Sequence, residues 1–221
     1  MCGRFTVTVD PNDLMTMFHL EAAESMLVPR YNVAPTQNTA VVLNETPGTL
    51  SIAQWGLIPS WAKDPSIGTK MINARAETLE EKPSFRTAFK KRRCLVLADG
   101  FYEWRKEPDG KTKTPLYITL EAHRPFAMAG LWELWTSQQG EQHRTFTIVT
   151  TAPNDLMAPI HNRMPVILPP EDIADWLDDS TPALALTAML KPLASIGMKA
   201  YPVSRRVNFP ANDDASLIYP V

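Results

Sequence analysis

The sequence predicts an α+β fold built on a largely antiparallel, barrel-like β core with short flanking helices. Twenty prolines against nine glycines in 221 residues indicate many short elements separated by rigid turns. Segments in which apolar and polar residues alternate are more numerous than segments with helical spacing. No internal repeat, low-complexity tract or linker is visible, and a chain of this length can bury one sizeable core. We therefore expect a single domain spanning residues 1–221.

Nine segments have the alternation and residue types of strands. They are residues 4–9, 39–43, 50–55, 94–98, 101–104, 116–120, 126–134, 145–150 and 164–168. Hairpin turns are expected at 46–49 and 108–111, which combine Pro and Gly with polar residues. These turns would join the second predicted strand to the third and the fifth to the sixth.

Four helices are expected from apolar spacing and from residues that favour helix starts. They span residues 10–18, 84–89, 170–177 and 181–190. Asp10 and Pro11 open the first, and Pro170 opens the third. Ser84 and Thr181 are the predicted caps of the second and fourth.

Charge and cysteine content limit the possible partners and sites. The formal net charge is −2, yet residues 1–120 carry +2 and residues 121–221 carry −4, so a polyanion should contact the N-terminal half. The densest basic cluster, at residues 86–93, is interpreted as a solvated helix face. Cys2 and Cys94 are too few for a disulfide framework and predict reduced thiols, and no Cys or His spacing indicates a metal or a cofactor.

Apolar runs in the sequence are short. None approaches the roughly 20 residues of a membrane span, and the N-terminus lacks the pattern of a secretory signal. We expect a cytoplasmic protein with no membrane partner, associated with the nucleoid if its source is bacterial.

Polar residues gather in segments rich in proline and aromatic residues outside the predicted strands. These are residues 32–35, 55–61, 73–78 and 160–163, which contain Asn32, Pro35, Trp61, Asn73, Arg75 and His161. Loops held on a rigid sheet commonly carry binding groups. These four segments are therefore the predicted site.

Glu103 stands inside a strand otherwise made of aromatic residues. Alternation places Phe101 and Glu103 on one face and Tyr102 and Trp104 on the other. A carboxylate in an apolar wall has its pKa raised by desolvation, toward values useful for acid–base chemistry. The structural alternative is a hydrogen-bond acceptor.

Five segments taken together resemble the SOS-response-associated peptidase family, whose members process abasic sites. They are MCGRF at 1–5, WGLIP at 55–59 with Trp61, NAR at 73–75 followed by Glu77 and Thr78, ADGFYEW at 98–104, and HNRMP at 161–165. The resemblance runs from Cys2 to the region 203–213, nearly the whole chain. No departure is seen at the family's functional positions.

The resemblance implies a protein that links covalently to abasic sites in single-stranded DNA and shields them. Cys2, made N-terminal by removal of Met1, would be the nucleophile and Glu103 the acid–base group near the sugar. Asn73 would hold the N-terminus and the sugar, and His161 would move protons during linkage and reversal. The DNA contacts implied in this way are Arg4, Arg75, Trp61, Asn32 and Pro35. A monomer is expected.

The chemistry favours an N-terminal cysteine. An α-amino group with a pKa of about 7.7–8.0 is roughly one-third neutral near pH 7.5, against about a thousandth for lysine, so it captures an aldehyde far more readily. The thiol on the adjacent carbon then closes a five-membered thiazolidine ring. A nearby cation, Arg75 or protonated His161, is expected to enlarge the thiolate fraction.

Two other functions remain open. An N-terminal thiol could attack an acyl group as a peptidase or amidase, with His161 as base and Asn73 as oxyanion donor, and this activity could be limited to removal of the chain's own first residue. The chain could also bind DNA without a covalent bond.

Several single residues also have structural alternatives. Arg75 could simply pair with Glu77 or another acid, and His161 could be structural. His123 and His143 are expected on turns, Cys94 in the core, and Trp132, Trp135 and Trp176 in packing.

Overall fold

The computed structural model describes residues 2–24 and 28–221. Within these ranges the strands are β1 (Phe5–Val7), β2 (Ala22–Ala23), β3 (Arg30–Val33), β4 (Asn38–Leu43), β5 (Thr49–Trp55), β6 (Asn73–Arg75), β7 (Arg93–Ala98), β8 (Gly100–Lys106), β9 (Lys113–Leu120), β10 (Phe126–Thr136), β11 (Gln142–Thr151), β12 (Met164–Pro165), β13 (Ile167–Leu168) and β14 (Met198–Pro202). The helices are α1 (Pro11–Met17), α2 (Arg86–Lys91), α3 (Pro170–Leu177) and α4 (Ala183–Ala188). Short 3₁₀ turns lie at Pro65–Lys70, Ala76–Thr78, Glu121–His123, Arg205–Asn208 and Ala215–Ile218.

The strands form two sheets, one of which closes into a barrel. The first sheet is antiparallel, in the order β14-β9-β8-β1-β3. In the second, β11, β10, β7, β4 and β5 are neighbours in that order, and β5 also pairs with β11. This last pairing is parallel and joins Gln54 to Thr145 and Trp55 to Phe146. The predicted α+β fold with a largely antiparallel, barrel-like core is confirmed.

Alternation along the barrel strands supplies two separate cores. One face, with Cys94, Val96 and Phe146, packs with Phe5 and Phe101 of the first sheet. The opposite face packs against α2, α3 and α4 through residues such as Leu95, Leu97, Phe89 and Trp176. A third, smaller cluster lies on the other side of the first sheet, where Tyr102 and Tyr117 meet Val203, Val207 and Leu217. Helices α2, α3 and α4 therefore cover the side of the barrel away from the first sheet.

All nine predicted strand segments form strands, with shifted ends, and both predicted hairpin turns are present. Four short strands were not predicted: β2, β3, β6 and β14. Two of them fall in segments expected to be loops, because Asn32 lies in β3 and Asn73 begins β6. His143 also lies in a strand, β11, and not on a turn.

The helix starts were predicted correctly where a capping side chain or a first-turn proline determines the start of the helix. Asp10 accepts a hydrogen bond from the Asn12 amide at 2.8 Å, and Pro170 begins α3. Ser84 and Thr181 are not the caps of α2 and α4. Phe85 and Pro182 hold those positions without a side-chain cap, and the Thr181 hydroxyl donates instead to the Asp175 carbonyl oxygen at 2.7 Å.

The basic cluster at 86–93 is only partly a solvated helix face. Arg93 belongs to β7, is 1% exposed, and donates hydrogen bonds to carbonyl oxygens that include those of Trp176 and Asp178. Arg92 pairs with the buried Glu133 at 2.6 Å. The predictions for the other packing residues are confirmed, since Cys94, Trp132, Trp135 and Trp176 are buried. Cys2 and Cys94 are both free thiols.

Gly100 marks the tightest approach between β8 and its neighbour. A Cβ there would stand 2.1 Å from the buried Tyr117 hydroxyl oxygen. That hydroxyl is 2.9 Å from Thr6 Oγ1, so the ring cannot move away without breaking this contact. Only glycine fits at the start of the strand that carries Glu103.

Gly100→Ala should lower the free energy of unfolding by about 1–3 kcal/mol, the usual cost of overpacking. Denaturant unfolding measures it. Gly48→Ala is the matched control, because a Cβ there meets nothing closer than 3.9 Å. Equal stability of the two variants would contradict the close packing at Gly100.

Within the described ranges, no helix has the length and apolar character needed to cross a membrane.

Candidate functional site

Cys2 is buried three residues before β1, in the core shared by the two sheets. Its side chain is 0% exposed, and its Sγ lies 3.9 Å from the Arg4 carbonyl oxygen. Burial raises the pKa of the thiol well above its ordinary value, and the negative charge of Glu103 raises it further. Neither Arg75 nor His161 is among the charged groups that act on this thiol, and their expected effect on the thiolate fraction of an N-terminal Cys2 stays a prediction. The thiol is held protonated, close to a carboxyl group.

Asn73 fixes the backbone of Cys2. Its Nδ2 donates to the Cys2 carbonyl oxygen at 2.8 Å. Asn73 is positioned by β6, which pairs in parallel with β11 so that Asn73 faces Ile148. The buried Asn73 Oδ1 has no hydrogen-bond partner among the described residues. One end of the amide thus holds the chain start, and the other is available to a donor.

Glu103 lies on the face of β8 that sequence alternation predicts. Phe101 belongs to the core that contains Cys2, whereas Tyr102 and Trp104 pack on the opposite side of the sheet. Glu103 is 2% exposed. Burial raises the pKa of its carboxyl group, although the hydrogen bond from the Trp104 backbone and, more weakly, the positive charge of Lys113 oppose this shift. A carboxyl group with a raised pKa keeps its proton to a higher pH than an ordinary glutamate, which suits it to acid–base chemistry.

His161 is half-buried in the loop between β11 and β12. Its Nδ1 accepts a hydrogen bond from the Arg163 amide at 3.1 Å, so the proton of the neutral ring is assigned to Nε2. Burial lowers the pKa of His161, and the charges of Lys113 and Lys106 lower it further. The ring is therefore neutral at pH 7 and carries a transferable proton.

Arg75 and Arg163 have different surroundings. Arg163 forms a two-point ion pair with Glu77, with distances of 2.6 and 2.9 Å, and donates to the Thr150 carbonyl oxygen. It ties the His161 loop to the turn that follows β6. Arg75, at the end of β6, is exposed, and its guanidinium has no ion pair or hydrogen bond within the described part of the chain. The alternative in which Glu77 pairs with Arg75 is not what the structure shows.

Arg4 and Asn32 hold the C-terminal segment against β1 and β3. Arg4 Nη1 donates to Asn32 Oδ1 at 2.9 Å and to the Val207 carbonyl oxygen at 2.7 Å. Asn32 is 0% exposed, and its Nδ2 donates to carbonyl oxygens in the same segment, the nearest that of Asn212 at 2.8 Å. Their contact with DNA stays a prediction.

Pro35 and Trp61 lie at the surface. Pro35 is half-buried, just after β3. Trp61 is 60% exposed, and its loop is held by the Trp135 indole, which donates to the Ala62 carbonyl oxygen at 2.7 Å. An exposed indole on a fixed loop can stack on a base, and this role of Trp61 stays a prediction.

The sequence interpretation did not single out Arg163, Lys106 or Lys113. Arg163 was visible only as part of a polar loop, and its partner Glu77 is distant in sequence. The two lysines lie on opposite strands of the β8–β9 hairpin. Their shared position depends on strand register, which sequence pattern alone does not give.

Comparison of the sequence with models of known protein families identifies the family of this chain. The model of the SOS response associated peptidase family, SRAP, matches residues 1–210. The chain belongs to the SRAP family. The resemblance drawn from the five sequence segments is therefore confirmed.

Several curated relatives cover almost the whole of this SRAP chain. The abasic site processing protein YoqW of Bacillus subtilis is 47% identical over 222 residues, covering 99% of each chain. The abasic site processing protein YedK of Escherichia coli is 30% identical, covering 100% of each. The abasic site processing protein HMCES of Xenopus tropicalis is 29% identical over 96% of this chain and 76% of its own.

The SRAP fold is also present in solved structures. A crystal structure of a protein from Bacteroides thetaiotaomicron superposes with a TM-score of 0.90 at 30% identity, covering 100% of both chains.

Proposed function

We propose that this chain processes abasic sites in single-stranded DNA by forming a covalent thiazolidine with Cys2 once Met1 has been removed. Met1 lies outside the described residues. The observation that carries the proposal is the setting of Cys2, whose carbonyl is held by Asn73 at 2.8 Å and whose thiol feels the charge of the buried Glu103. Relatives named abasic site processing proteins support the substrate class.

The reaction begins on the ring-opened form of the abasic sugar, which carries an aldehyde at C1. The α-amino group of Cys2 attacks C1 to give a carbinolamine, which loses one water to become an imine. Sγ then adds to the same carbon, and the thiol proton ends on the ring nitrogen. Two bonds to C1 form, its bond to oxygen is lost as water, and no oxidant or reductant is required.

Proton transfer is the task of Glu103 and His161. Sugar opening and carbinolamine dehydration both need a proton moved between oxygen atoms, and positioned acid–base groups give roughly 10²–10⁴-fold. A carboxyl group with a raised pKa and a neutral imidazole protonated on Nε2 supply a proton donor and a proton acceptor for these steps. The buried, protonated thiol does not react until an imine has formed, and its sulfur then adds to the imine carbon.

The same imine explains a lyase-type activity. An imine at C1 makes the neighbouring C2 hydrogens more acidic, and their loss leads to β-elimination of the 3′ phosphate. Closure of the thiazolidine removes the imine and so protects the strand. The family's peptidase activity would, on this proposal, be limited to release of Met1, the step that frees the amine.

The experiment uses three single-stranded oligonucleotides that differ at one position: an abasic site, a tetrahydrofuran analogue without an aldehyde, and an intact base. A heat- and denaturant-stable protein–DNA band should form with the abasic strand only. Intact-mass measurement of the purified protein reports whether Met1 is absent. A stable band with the intact strand, or cleavage of added peptides without any band, would favour a different function.

Arg75→Ala should weaken non-covalent binding of the tetrahydrofuran strand and flatten its salt dependence. A lost single-strand phosphate contact reduces the slope of log K against log salt by about 0.7. Titrations at several salt concentrations measure the slope. Arg86→Ala is the control, because Arg86 is an exposed arginine on α2, which covers the other side of the barrel. A slope unchanged by Arg75→Ala would rule out a phosphate contact there.

A further inference from the structure

Two exposed lysines face each other at the turn end of the β8–β9 hairpin. Lys106 is the register partner of Lys113, and both are exposed. Like charges directly opposite each other destabilise a strand pair. In the described part of the chain, neither ammonium group forms an ion pair or hydrogen bond with protein. The pairing of these two lysines therefore places like charges opposite each other at the end of the hairpin.

The nearby acidic residues have other partners. Glu107 accepts hydrogen bonds from Arg105, at 3.2 Å for the closest. Asp109 accepts from the backbone amides of Lys111 and Thr112, both at 2.9 Å, and stabilises the turn. An external anion is the partner that would neutralise the lysine pair.

The lysine pair borders the proposed reaction site. The charge of Lys113 acts on both Glu103 and His161, and the charge of Lys106 acts on His161. The lysine pair is therefore close enough to act electrostatically on these two groups, although alternation from Glu103 places Lys106 on the other face of β8. Arg75 is carried by β6 in the other sheet. Positively charged side chains near the site are therefore carried by two separate elements, β6 and the β8–β9 hairpin.

We propose that Lys106 and Lys113 together bind a phosphate of the single-stranded DNA, at a position separate from that of Arg75. This proposal rests on the proposed function, since it assumes that a DNA strand enters the site of Cys2. One phosphate between the two ammonium groups would replace their repulsion with two attractions. It would also hold the DNA strand at a second phosphate. The abasic sugar would then be positioned by contacts to the DNA backbone, without contacts to a base.

The test measures non-covalent binding of a fluorescent single strand containing tetrahydrofuran, as a function of salt. The double variant K106Q/K113Q should bind about fivefold more weakly at 0.1 M salt, with a slope lower by about 0.7, as expected for one lost phosphate contact. The charge-matched control is K191Q/K199Q. Both control lysines are exposed, and Lys199 faces Thr119 near the opposite end of β9. This control should retain the wild-type slope.

Three results would overturn the proposal. They are a wild-type slope in K106Q/K113Q, an equal loss in K191Q/K199Q, and slower crosslinking with unchanged binding, which would mean that the lysines act only on Glu103 and His161. Because tetrahydrofuran has no aldehyde, the measurement is independent of the covalent step. A reduced slope in a protein that never crosslinks natural abasic sites would reject the proposed function and keep the phosphate position.

Discussion

Cys2→Ser should abolish the heat-stable crosslink with abasic single-stranded DNA while preserving one that borohydride can trap. Serine keeps the α-amino group, which still forms an imine with the sugar aldehyde. The hydroxyl is a much weaker nucleophile than the thiol and does not close a stable ring, so the imine hydrolyses. Denaturing gels run with and without borohydride separate the two products.

The chain provides a matched control in Cys94. Like Cys2 it is a free thiol with 0% exposure, so Cys94→Ser introduces the same hydroxyl into the same kind of apolar surroundings. Burial alone raises the pKa of Cys94, whereas Cys2 also feels the charge of Glu103. Cys94→Ser should crosslink at the wild-type rate wherever it is folded.

Two outcomes would contradict the role of Cys2. A heat-stable band of wild-type intensity in Cys2→Ser would show that sulfur is not needed. Loss of the band in both serine variants, together with lower unfolding temperatures, would show that the defect comes from the fold.

The sequence predicted those parts of the site that depend on local pattern. The orientation of Glu103 follows from alternation along a single strand, and the observed cores confirm it. The strands of the barrel are predicted by the same alternation of apolar and polar residues, which repeats every two residues. These features need no knowledge of which segments meet.

The parts that were missed or wrong depend on contacts between distant segments. Asn73 reaches Cys2 only because β6 pairs with β11, and a three-residue strand carries no detectable alternation. The protonated state of the thiol follows from complete burial, which the sequence around Cys2 does not reveal. Thr181 is not a cap because the carbonyl of Asp175 provides a competing acceptor. Each of these outcomes was decided by tertiary structure.

Glu103→Gln should slow crosslink formation by about 10²–10⁴-fold, the usual contribution of a positioned acid–base group. Glutamine has nearly the same shape and keeps hydrogen-bonding capacity, but it cannot exchange a proton at pH 7. Single-turnover gels with excess protein over abasic DNA measure the rate. Binding to the tetrahydrofuran strand should remain close to that of wild type, because no proton moves in that complex.

Glu133→Gln is the matched control for this change. Glu133 is also a buried glutamate, 4% exposed, but it lies on β10 and pairs with Arg92. Its loss should reduce stability through the broken ion pair and leave the crosslinking rate of the folded protein unchanged. Equal slowing in both variants would mean that any buried glutamate matters for the fold, and that the rate reports folding.

Stability against pH gives a second readout for Glu103. Its folded pKa is raised by burial, so the folded state prefers the neutral acid. Wild type should lose free energy of unfolding as the pH rises from the ordinary glutamate value of about 4.3 through the raised value, and Glu103→Gln should lack this loss. The difference in stability, variant minus wild type, should therefore grow with pH. A variant that crosslinks at the wild-type rate while showing this difference would leave Glu103 as a buried acid without a part in proton transfer, and His161 would then have to carry both proton steps.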